Sequence, residues 1–225
     1  MKLFLFDLDG TLIDSEIGIV GSIEYALQKL GATIPPRDVL RSWIGPPLRA
    51  TFPLVLGDDA ATIEQAVAFY RERFSSIGWR EHAVYPGVAD VIKALAAQGG
   101  TLAVVTTKPD LYADRIVASL PFGAHFKRVY AADAHSANSE KAAMIARALV
   151  DFDVQPDYAV MIGDRHFDMQ GAHANHVHAI GVAWGFGSAD ELREAGADAI
   201  AAHPAELLHL LRAASGKPTI ADASH

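Results

Sequence analysis

Cysteine is absent from this chain of 225 residues. Without a thiol, the chain has no disulfide, no thiolate metal site and no iron–sulfur cluster. Mechanisms that use a cysteine nucleophile are excluded on the same ground. A protein without disulfides suits a reducing compartment, so we expect a cytoplasmic location.

Long apolar runs are missing at the start of the chain, and basic residues are in deficit. Only four apolar residues, 3–6, precede Asp7, too few for the apolar region of a signal peptide or for a membrane span.

The chain has 19 basic and 27 acidic residues and a net charge of -8, so nucleic-acid phosphates and anionic lipids repel it. We expect an untargeted soluble protein, monomer or homodimer, with neither nucleic acid nor membrane as partner. A phosphate ligand would need positive charge placed locally.

The remaining composition, with 51% hydrophobic and 20% charged residues, is that of an ordinary globular protein. Short apolar runs alternate with helical patterns, which predicts parallel strands joined by crossover helices. The predicted strands cover residues 3–6, 102–105, 158–162 and 179–183. The predicted helices between and after them include residues 88–97, 141–149 and 205–211. The fold class is therefore α/β with a doubly wound parallel sheet, and ligands are expected beyond the carboxyl ends of its strands.

Residues 15–86 interrupt this alternation directly after the first strand. Apolar residues recur at helical spacing in 17–30 and again in 63–74. We predict no strand within 16–85, and interpret the stretch as an all-helical insertion that overhangs the strand ends. The predicted division is a core of residues 1–14 and 87–214, a helical cap of residues 15–86, and a flexible tail of residues 215–225.

The first predicted strand ends in Asp-Leu-Asp-Gly-Thr, which places carboxylates at Asp7 and Asp9. Two carboxylates at the mouth of a site suit different tasks. One attacks phosphorus, and the other protonates the leaving oxygen and then activates water. Gly10 permits a sharp turn that brings backbone N–H groups close to an oxyanion. A polar turn at the end of a strand is the alternative interpretation of this segment alone.

Three further segments carry polar side chains after apolar runs or at a helix start. Thr106 offers a hydroxyl to a phosphoryl oxygen, although a strand that ends in threonine is common. Lys141 begins a helix, where its charge opposes the helix dipole unless an anion such as a phosphate or the Asp7 carboxylate lies nearby. A solvated lysine is the alternative. Asp164 and Asp168 form, with Asp7, an all-oxygen set suited to Mg²⁺.

Together these segments resemble the four motifs of the haloacid dehalogenase superfamily, in its phosphatase branch with a helical cap, similar to phosphoglycolate phosphatases. The likeness covers residues 1–212. It implies a Rossmann-like core and a Mg²⁺-dependent phosphatase that works through an aspartyl-phosphate. Its catalytic residues would be Asp7 as nucleophile, Asp9 as general acid and base, Thr106 and Lys141. Phosphate binding would involve Leu8, Gly10, Thr106, Thr107 and Lys141. The metal would be held by Asp7, the Asp9 backbone carbonyl, Asp164 and Asp168.

The resemblance also places substrate contacts in the cap, at Glu16, Gly45 and Arg49. The chain departs from the family pattern at Thr107, where asparagine is frequent, and in the segment 134–140. The expected substrate is a small phosphorylated metabolite, and phosphoglycolate, a sugar phosphate and a nucleoside monophosphate are all compatible. Two alternatives are a phosphomutase of the β-phosphoglucomutase type and a non-catalytic module that binds phosphate or a protein partner.

Overall fold

The computed structural model describes residues 2–132 and 140–213, with side chains up to residue 211. The predicted tail, 215–225, and residues 134–139 of the unaligned segment lie outside the described residues. The described strands are β1 (Leu3–Phe6), β2 (Ile13–Asp14), β3 (Ala83–Val84), β4 (Thr101–Pro109), β5 (Phe126–Ala132), β6 (Ala159–Gly163), β7 (His178–Val182) and β8 (Ala199–Ala201).

The helices fall into two groups, those between β2 and β3 and those that alternate with the remaining strands. The first group is α1 (Glu16–Lys29), α2 (Arg37–Ser42), α3 (Leu48–Thr51), α4 (Pro53–Leu56) and α5 (Ala60–Ser76). The second group is α6 (Val88–Ala97), α7 (Asp110–Ser119), α8 (Lys141–Phe152), α9 (His166–His173), α10 (Ala189–Glu194) and α11 (Pro204–Ala213). No helix in the described ranges is long and apolar enough to cross a bilayer.

Six strands form one parallel sheet in the order β5-β4-β1-β6-β7-β8. The chain starts at β1, adds β4 and β5 on one side, and then returns to add β6, β7 and β8 on the other. The strand order therefore reverses at β1, and a crevice opens there beyond the carboxyl ends of β1, β4 and β6. This confirms the predicted doubly wound α/β fold.

Both faces of the sheet are covered, which explains why its central strands are continuously apolar. Phe4 and Phe6 of β1 pack in one buried cluster with residues of α6, α7 and α11. Leu3 and Leu5 point to the opposite face and pack with residues of α8, α9 and α10. The sheet is thus held rigidly, and so are the side chains at its carboxyl edge.

The helices α1 to α5 have a buried cluster of their own, which includes Ile23, Leu40, Phe52 and Val67. The prediction of no strand within 16–85 is wrong, because β3 lies there and pairs antiparallel with β2. Each of these strands has two residues, too few to show an alternating pattern in the sequence. Their pairing brings the two ends of the helical insertion together. The predicted division into core and cap stays a prediction.

Two strands at the edges of the parallel sheet were not predicted. Strand β5 reads Phe-Lys-Arg-Val-Tyr-Ala-Ala and is largely half-buried or exposed, and two basic residues interrupt its apolar pattern. Strand β8 has three residues. Edge strands have one neighbour and a partly solvated surface, and therefore tolerate polar and small residues that hide them from pattern analysis.

A close approach of α1 to the short 3-10 helix Gly78–Arg80 generates a stability prediction. A Cβ added to Gly18 would lie 2.2 Å from the carbonyl oxygen of Gly78, so backbone would have to move. We expect Gly18→Ala to lower the free energy of unfolding by about 2–3 kcal/mol. The matched control is Gly21→Ala on the same helix, where the nearest atoms belong to the Arg73 side chain, and we expect a change within about 1 kcal/mol. Urea denaturation of both variants measures this, and equal stabilities would contradict it.

Candidate active site

The polar side chains singled out in the sequence meet at the switch point of the sheet. Asp7 directly follows β1, and its backbone N–H donates to the carbonyl of Ile162 in β6 at 2.9 Å. Thr106 lies in β4, Asp164 directly follows β6, and Lys141 is the first residue of α8. Four elements that are distant in sequence, β1, β4, β6 and α8, thus present their side chains to one crevice.

Lys141 is buried and binds two carboxylates. Its Nζ lies 2.8 Å from Asp7 Oδ1 and 2.6 Å from Asp168 Oδ1, and it donates to the carbonyl of Val105 at 2.8 Å. These contacts use all three donors of the ammonium group. Burial disfavours the charged lysine, but Asp168 and Asp7 outweigh this effect, and the pKa of Lys141 is raised. The lysine at the start of α8 is therefore not solvated.

Asp164 is fully buried and is enclosed by backbone. Its Oδ2 accepts a hydrogen bond from the Phe186 N–H at 2.8 Å, and its Oδ1 accepts one from the Thr11 hydroxyl at 3.3 Å. A Cβ on Gly10 would lie 2.1 Å from Asp164 Oδ2, and one on Gly185 would lie 2.4 Å from the Asp164 Cβ. Both glycines are therefore needed for the chain to close around this carboxylate.

Asp7, Asp164 and Asp168 could hold a divalent cation. One oxygen from each lies within 4.8 Å of the others, and all three residues are buried. Burial raises the pKa of Asp7 to about 7, and burial followed by repulsion from Asp7 and Asp168 raises the pKa of Asp164 well above its usual value. Lys141 balances one of three negative charges, so the donor set and its charge fit a dication bound through oxygen.

Asp9 pairs with a lysine that the sequence analysis missed. Lys108 Nζ lies 2.7 Å from Asp9 Oδ2, and the Lys108 side chain is 5% exposed. Asp9 Oδ1 is buried and has no hydrogen-bond partner among the described residues. Lys108 is the third residue of the segment Thr-Thr-Lys. Its contact with Asp9 was missed because the two residues are 99 positions apart.

A cavity of about 900 Å³ opens over these carboxylates. The floor contributes Asp7, Asp9, Thr106 and Lys141, and the inserted helices contribute the opposite wall. Six aromatic residues line it: Trp43, Tyr70, Phe74, Tyr112, Phe167 and Phe186. The cavity is therefore polar at the carboxyl edge of the sheet and aromatic around it.

The predicted phosphate-binding residues differ in whether their polar groups face the cavity or are already hydrogen-bonded within the protein. Thr106 and Thr107 both line the cavity, although the hydroxyl of Thr106 accepts a hydrogen bond from the Lys108 N–H at 3.2 Å. The Leu8 N–H donates to Asp7 Oδ1 at 2.7 Å, and the Gly10 N–H donates to the Ile13 carbonyl at 2.8 Å. Neither N–H is open to a ligand in this arrangement, and phosphate binding by Leu8 and Gly10 stays a prediction.

The predicted substrate contacts also differ. Gly45 and Arg49 line the cavity, and Arg49 makes an ion pair with Glu64. Glu16 is absent from the cavity wall and pairs instead with Arg37 at 2.7 Å and with Arg41 at 3.4 Å. Its geometry thus gives no support to the predicted contact with the leaving group. Both arginines belong to α2 of the insertion.

Arg165 is a second residue that sequence reasoning missed. Its backbone N–H donates to Asp168 Oδ2 at 3.0 Å, and its guanidinium donates to the carbonyl of Ile44 in the insertion. Its Nε donates to Glu191 Oε1 at 2.9 Å. Partial burial raises the pKa of Glu191, but hydrogen bonds from His166 and Arg165 outweigh it and lower the pKa to about 2. A residue inside the acidic motif therefore also contacts the insertion, at the loop between α2 and α3.

A parallel sheet with buried carboxylates at its switch point and a helical insertion after the first strand places the chain among doubly wound α/β proteins with an acidic site at the carboxyl ends of the strands. The family model described as haloacid dehalogenase-like hydrolase matches residues 4–182 of this chain. The chain therefore belongs to the haloacid dehalogenase-like hydrolases, which confirms the family resemblance.

Several relatives share most of the chain. A 5'-nucleotidase of Pseudomonas aeruginosa is 41% identical over 189 residues, which cover 84% of this chain and 86% of that protein. The tyrosine-protein kinase PtkA of Mycobacterium tuberculosis is 36% identical over 84% of this chain, but only 64% of PtkA is covered. A solved structure described as a predicted phosphatase, from Clostridium acetobutylicum, has a TM-score of 0.87 and 34% identity, covering 94% of this chain and 98% of its own.

The acidic cluster generates a prediction about metal and stability. Asparagine at position 164 can still accept from the Phe186 N–H and can donate to the Thr11 hydroxyl, while one buried negative charge is removed. In EDTA at pH 8 we expect Asp164→Asn to raise the melting temperature by about 2–4 °C. Mg²⁺ that binds the folded wild type should raise its melting temperature. We expect Mg²⁺ to leave the melting temperature of Asp164→Asn unchanged. Differential scanning fluorimetry measures both, with the exposed Asp90→Asn as control. A variant that keeps the wild-type response to Mg²⁺ would contradict this use of Asp164.

Proposed function

We propose that this protein is a Mg²⁺-dependent phosphatase that hydrolyses small phosphomonoesters through an aspartyl-phosphate at Asp7. The observation that carries the proposal is the pair of unlike carboxylates at one crevice. Asp7 is held by Lys141 within the acidic cluster, whereas Asp9 lies outside that cluster and keeps one oxygen without a partner among the described residues. Two carboxylates in different surroundings suit two different roles.

Asp7 is oriented for attack on phosphorus. Its Oδ1 accepts hydrogen bonds from the Leu8 N–H and interacts with the Lys141 ammonium, which fixes the plane of the carboxylate. The other oxygen, Oδ2, attacks phosphorus in our proposal, and the bond from phosphorus to the leaving oxygen breaks. The product of this step is the phosphoryl-aspartate and an alcohol.

Asp9 moves the protons of both half-reactions. In the first, Asp9 donates a proton to the leaving oxygen, so that an alcohol departs and not an alkoxide. In the second, the Asp9 carboxylate accepts a proton from the water that attacks phosphorus. The bond between phosphorus and the Asp7 oxygen then breaks, which restores both aspartates and releases phosphate.

Positive charge at the site offsets the charge of the phosphoryl group. Lys141 supplies a fixed ammonium, and Thr106 and Thr107 line the same cavity. A Mg²⁺ ion held by Asp7, Asp164, Asp168 and the Asp9 backbone carbonyl would act as a Lewis acid toward the phosphoryl oxygens. Mg²⁺ suits this set because it prefers carboxylates, carbonyls and water to nitrogen or sulfur ligands.

The cavity favours a leaving group larger than glycolate. Its volume of about 900 Å³ and its aromatic lining offer stacking surface that a two-carbon acid cannot use, whereas a planar base can. The relative from Pseudomonas aeruginosa is named a 5'-nucleotidase, and relatives with 27–28% identity are named phosphoglycolate phosphatases. Of the compatible substrates we therefore infer a nucleoside 5'-monophosphate.

Phosphate release from a panel of phosphomonoesters, with Mg²⁺ or with EDTA, tests this function. We expect release by the wild type to require the metal and to fall by about 10³-fold or more in Asp7→Asn, because the nucleophile is lost. The exposed Asp90→Asn is the matched control and should retain wild-type activity. Within the panel, a nucleoside 5'-monophosphate should exceed phosphoglycolate in kcat/KM by about tenfold, the effect of one aromatic contact.

Two results would contradict this function. Phosphate release that Asp7→Asn leaves unchanged would show that another group attacks phosphorus. Conversion of a sugar phosphate into its isomer without release of phosphate would instead favour a phosphomutase. A preference for phosphoglycolate over every nucleotide would leave the mechanism standing and remove the inferred substrate.

A further inference from the structure

Lys108 is a buried cation that lines the cavity and has no role in the phosphoryl and metal binding proposed above. It lies in β4, two residues after Thr106, and its backbone N–H donates to the Thr106 hydroxyl at 3.2 Å. The Lys108 side chain is 5% exposed, and its ammonium lies 2.7 Å from Asp9 Oδ2. A buried ammonium group is costly unless it has hydrogen-bond acceptors, and here Asp9, the proposed general acid and base, supplies one through Oδ2.

The contact makes the two oxygens of Asp9 unequal. Asp9 Oδ2 accepts a hydrogen bond from the Lys108 ammonium, whereas Oδ1 is buried without a hydrogen-bond partner among the described residues. An ammonium group can only donate, so Oδ2 stays an acceptor whether or not Asp9 carries a proton. Oδ1 is then the oxygen left to exchange a proton. A buried unsatisfied oxygen costs stability, which suits a group that meets its partner in the substrate complex.

Aromatic side chains cover the pair of Lys108 and Asp9. The Lys108 ammonium lies 5.0 Å from the centroid of the Phe74 ring, within the range of a cation–π interaction. Phe74 belongs to α5 of the helical insertion, and its ring stacks on Tyr70 at 5.4 Å and meets Tyr112 edge-on at 5.0 Å. The insertion thus packs an aromatic ring against the Lys108 ammonium.

We propose that Lys108 is a positioning residue: it holds Asp9 by Oδ2 and so directs Oδ1 to the leaving oxygen and, later, to the attacking water. Lys108 transfers no proton and keeps its charge throughout. The proton goes from Asp9 Oδ1 to the leaving oxygen as its bond to phosphorus breaks, and a proton of the attacking water returns to Oδ1. This inference rests on the proposed function.

The test is the dependence of Lys108→Met on the leaving group. Methionine has a similar length and no charge. We compare a nucleoside 5'-monophosphate, whose alkoxide leaves poorly without a proton, with p-nitrophenyl phosphate, whose phenolate leaves unaided. We expect kcat/KM to fall by about 10²-fold for the nucleotide, the size of a general-acid effect, and by less than about fivefold for the aryl ester. The ratio kcat/KM reports the first transfer, in which the leaving group departs.

Three controls separate positioning from a structural role. The exposed Lys93→Met, on α6, should leave both substrates unaffected. Lys108→Arg keeps a cation, and its kcat/KM for the nucleotide should exceed that of Lys108→Met by at least about tenfold. In an Asp9→Asn background, Lys108→Met should change nucleotide hydrolysis by less than about threefold, because residues that act through one another are not additive. Lys108→Gln replaces the methionine variant if that variant does not fold, with the same expected result.

The outcomes distinguish this inference from the function on which it rests. A wild type that releases no phosphate from any ester overturns the proposed function and the role of Lys108 together. An active wild type with equal losses on the nucleotide and on the aryl ester overturns the role of Lys108 alone. Additive losses with Asp9→Asn also overturn it, because Lys108 would then act on the substrate directly and not through Asp9.

Discussion

The ammonium group of Lys141 holds together the parts of the site that are furthest apart in sequence. It joins Asp7 after β1, Asp168 in α9 and the Val105 carbonyl in β4. Its position at the start of α8 opposes the helix dipole, and burial of several like charges with one cation raises the energy of the folded chain. A lysine at a helix start and buried like charges are both unfavourable locally, and such exceptions are expected at functional sites. The packed sheet holds these side chains in place.

The acidic cluster and the helical insertion are connected by backbone as well as by side chains. Phe186 donates its N–H to Asp164 while the neighbouring Gly185 carbonyl accepts from Arg41 of α2 at 3.0 Å. Arg165 donates its N–H to Asp168 while its guanidinium reaches the carbonyl of Ile44. The short segments that bind Asp164 and Asp168 therefore also contact the insertion, which lines the cavity. Displacing the insertion would disturb the loops that hold Asp164 and Asp168.

Much of the fold and of the acidic cluster could be predicted because three of the four polar motifs follow an apolar run. The central strands are buried on both faces, and so the runs before Asp7, Thr106 and Asp164 are unmistakable. The hydrophobic pattern does not show which side chains distant in sequence contact each other, and so the contact of Lys108 with Asp9 was missed. Glu16, which the resemblance placed among the substrate contacts of the cap, pairs with two arginines, and its contact with the substrate stays a prediction. Edge strands and two-residue strands were missed because they bury little apolar surface and therefore show no clear hydrophobic pattern in the sequence.

Chemical trapping of the phosphoryl-aspartate tests the central claim most directly. The enzyme is mixed with Mg²⁺ and p-nitrophenyl phosphate, quenched with acid during the first turnover, and treated with borohydride, which reduces an acyl phosphate of aspartate to homoserine. Peptide mapping then locates the modified residue. The account predicts homoserine in place of Asp7 and unmodified aspartate at Asp9, Asp164 and Asp168. Conversion at another carboxylate, or phosphate release with no conversion at Asp7, would contradict it.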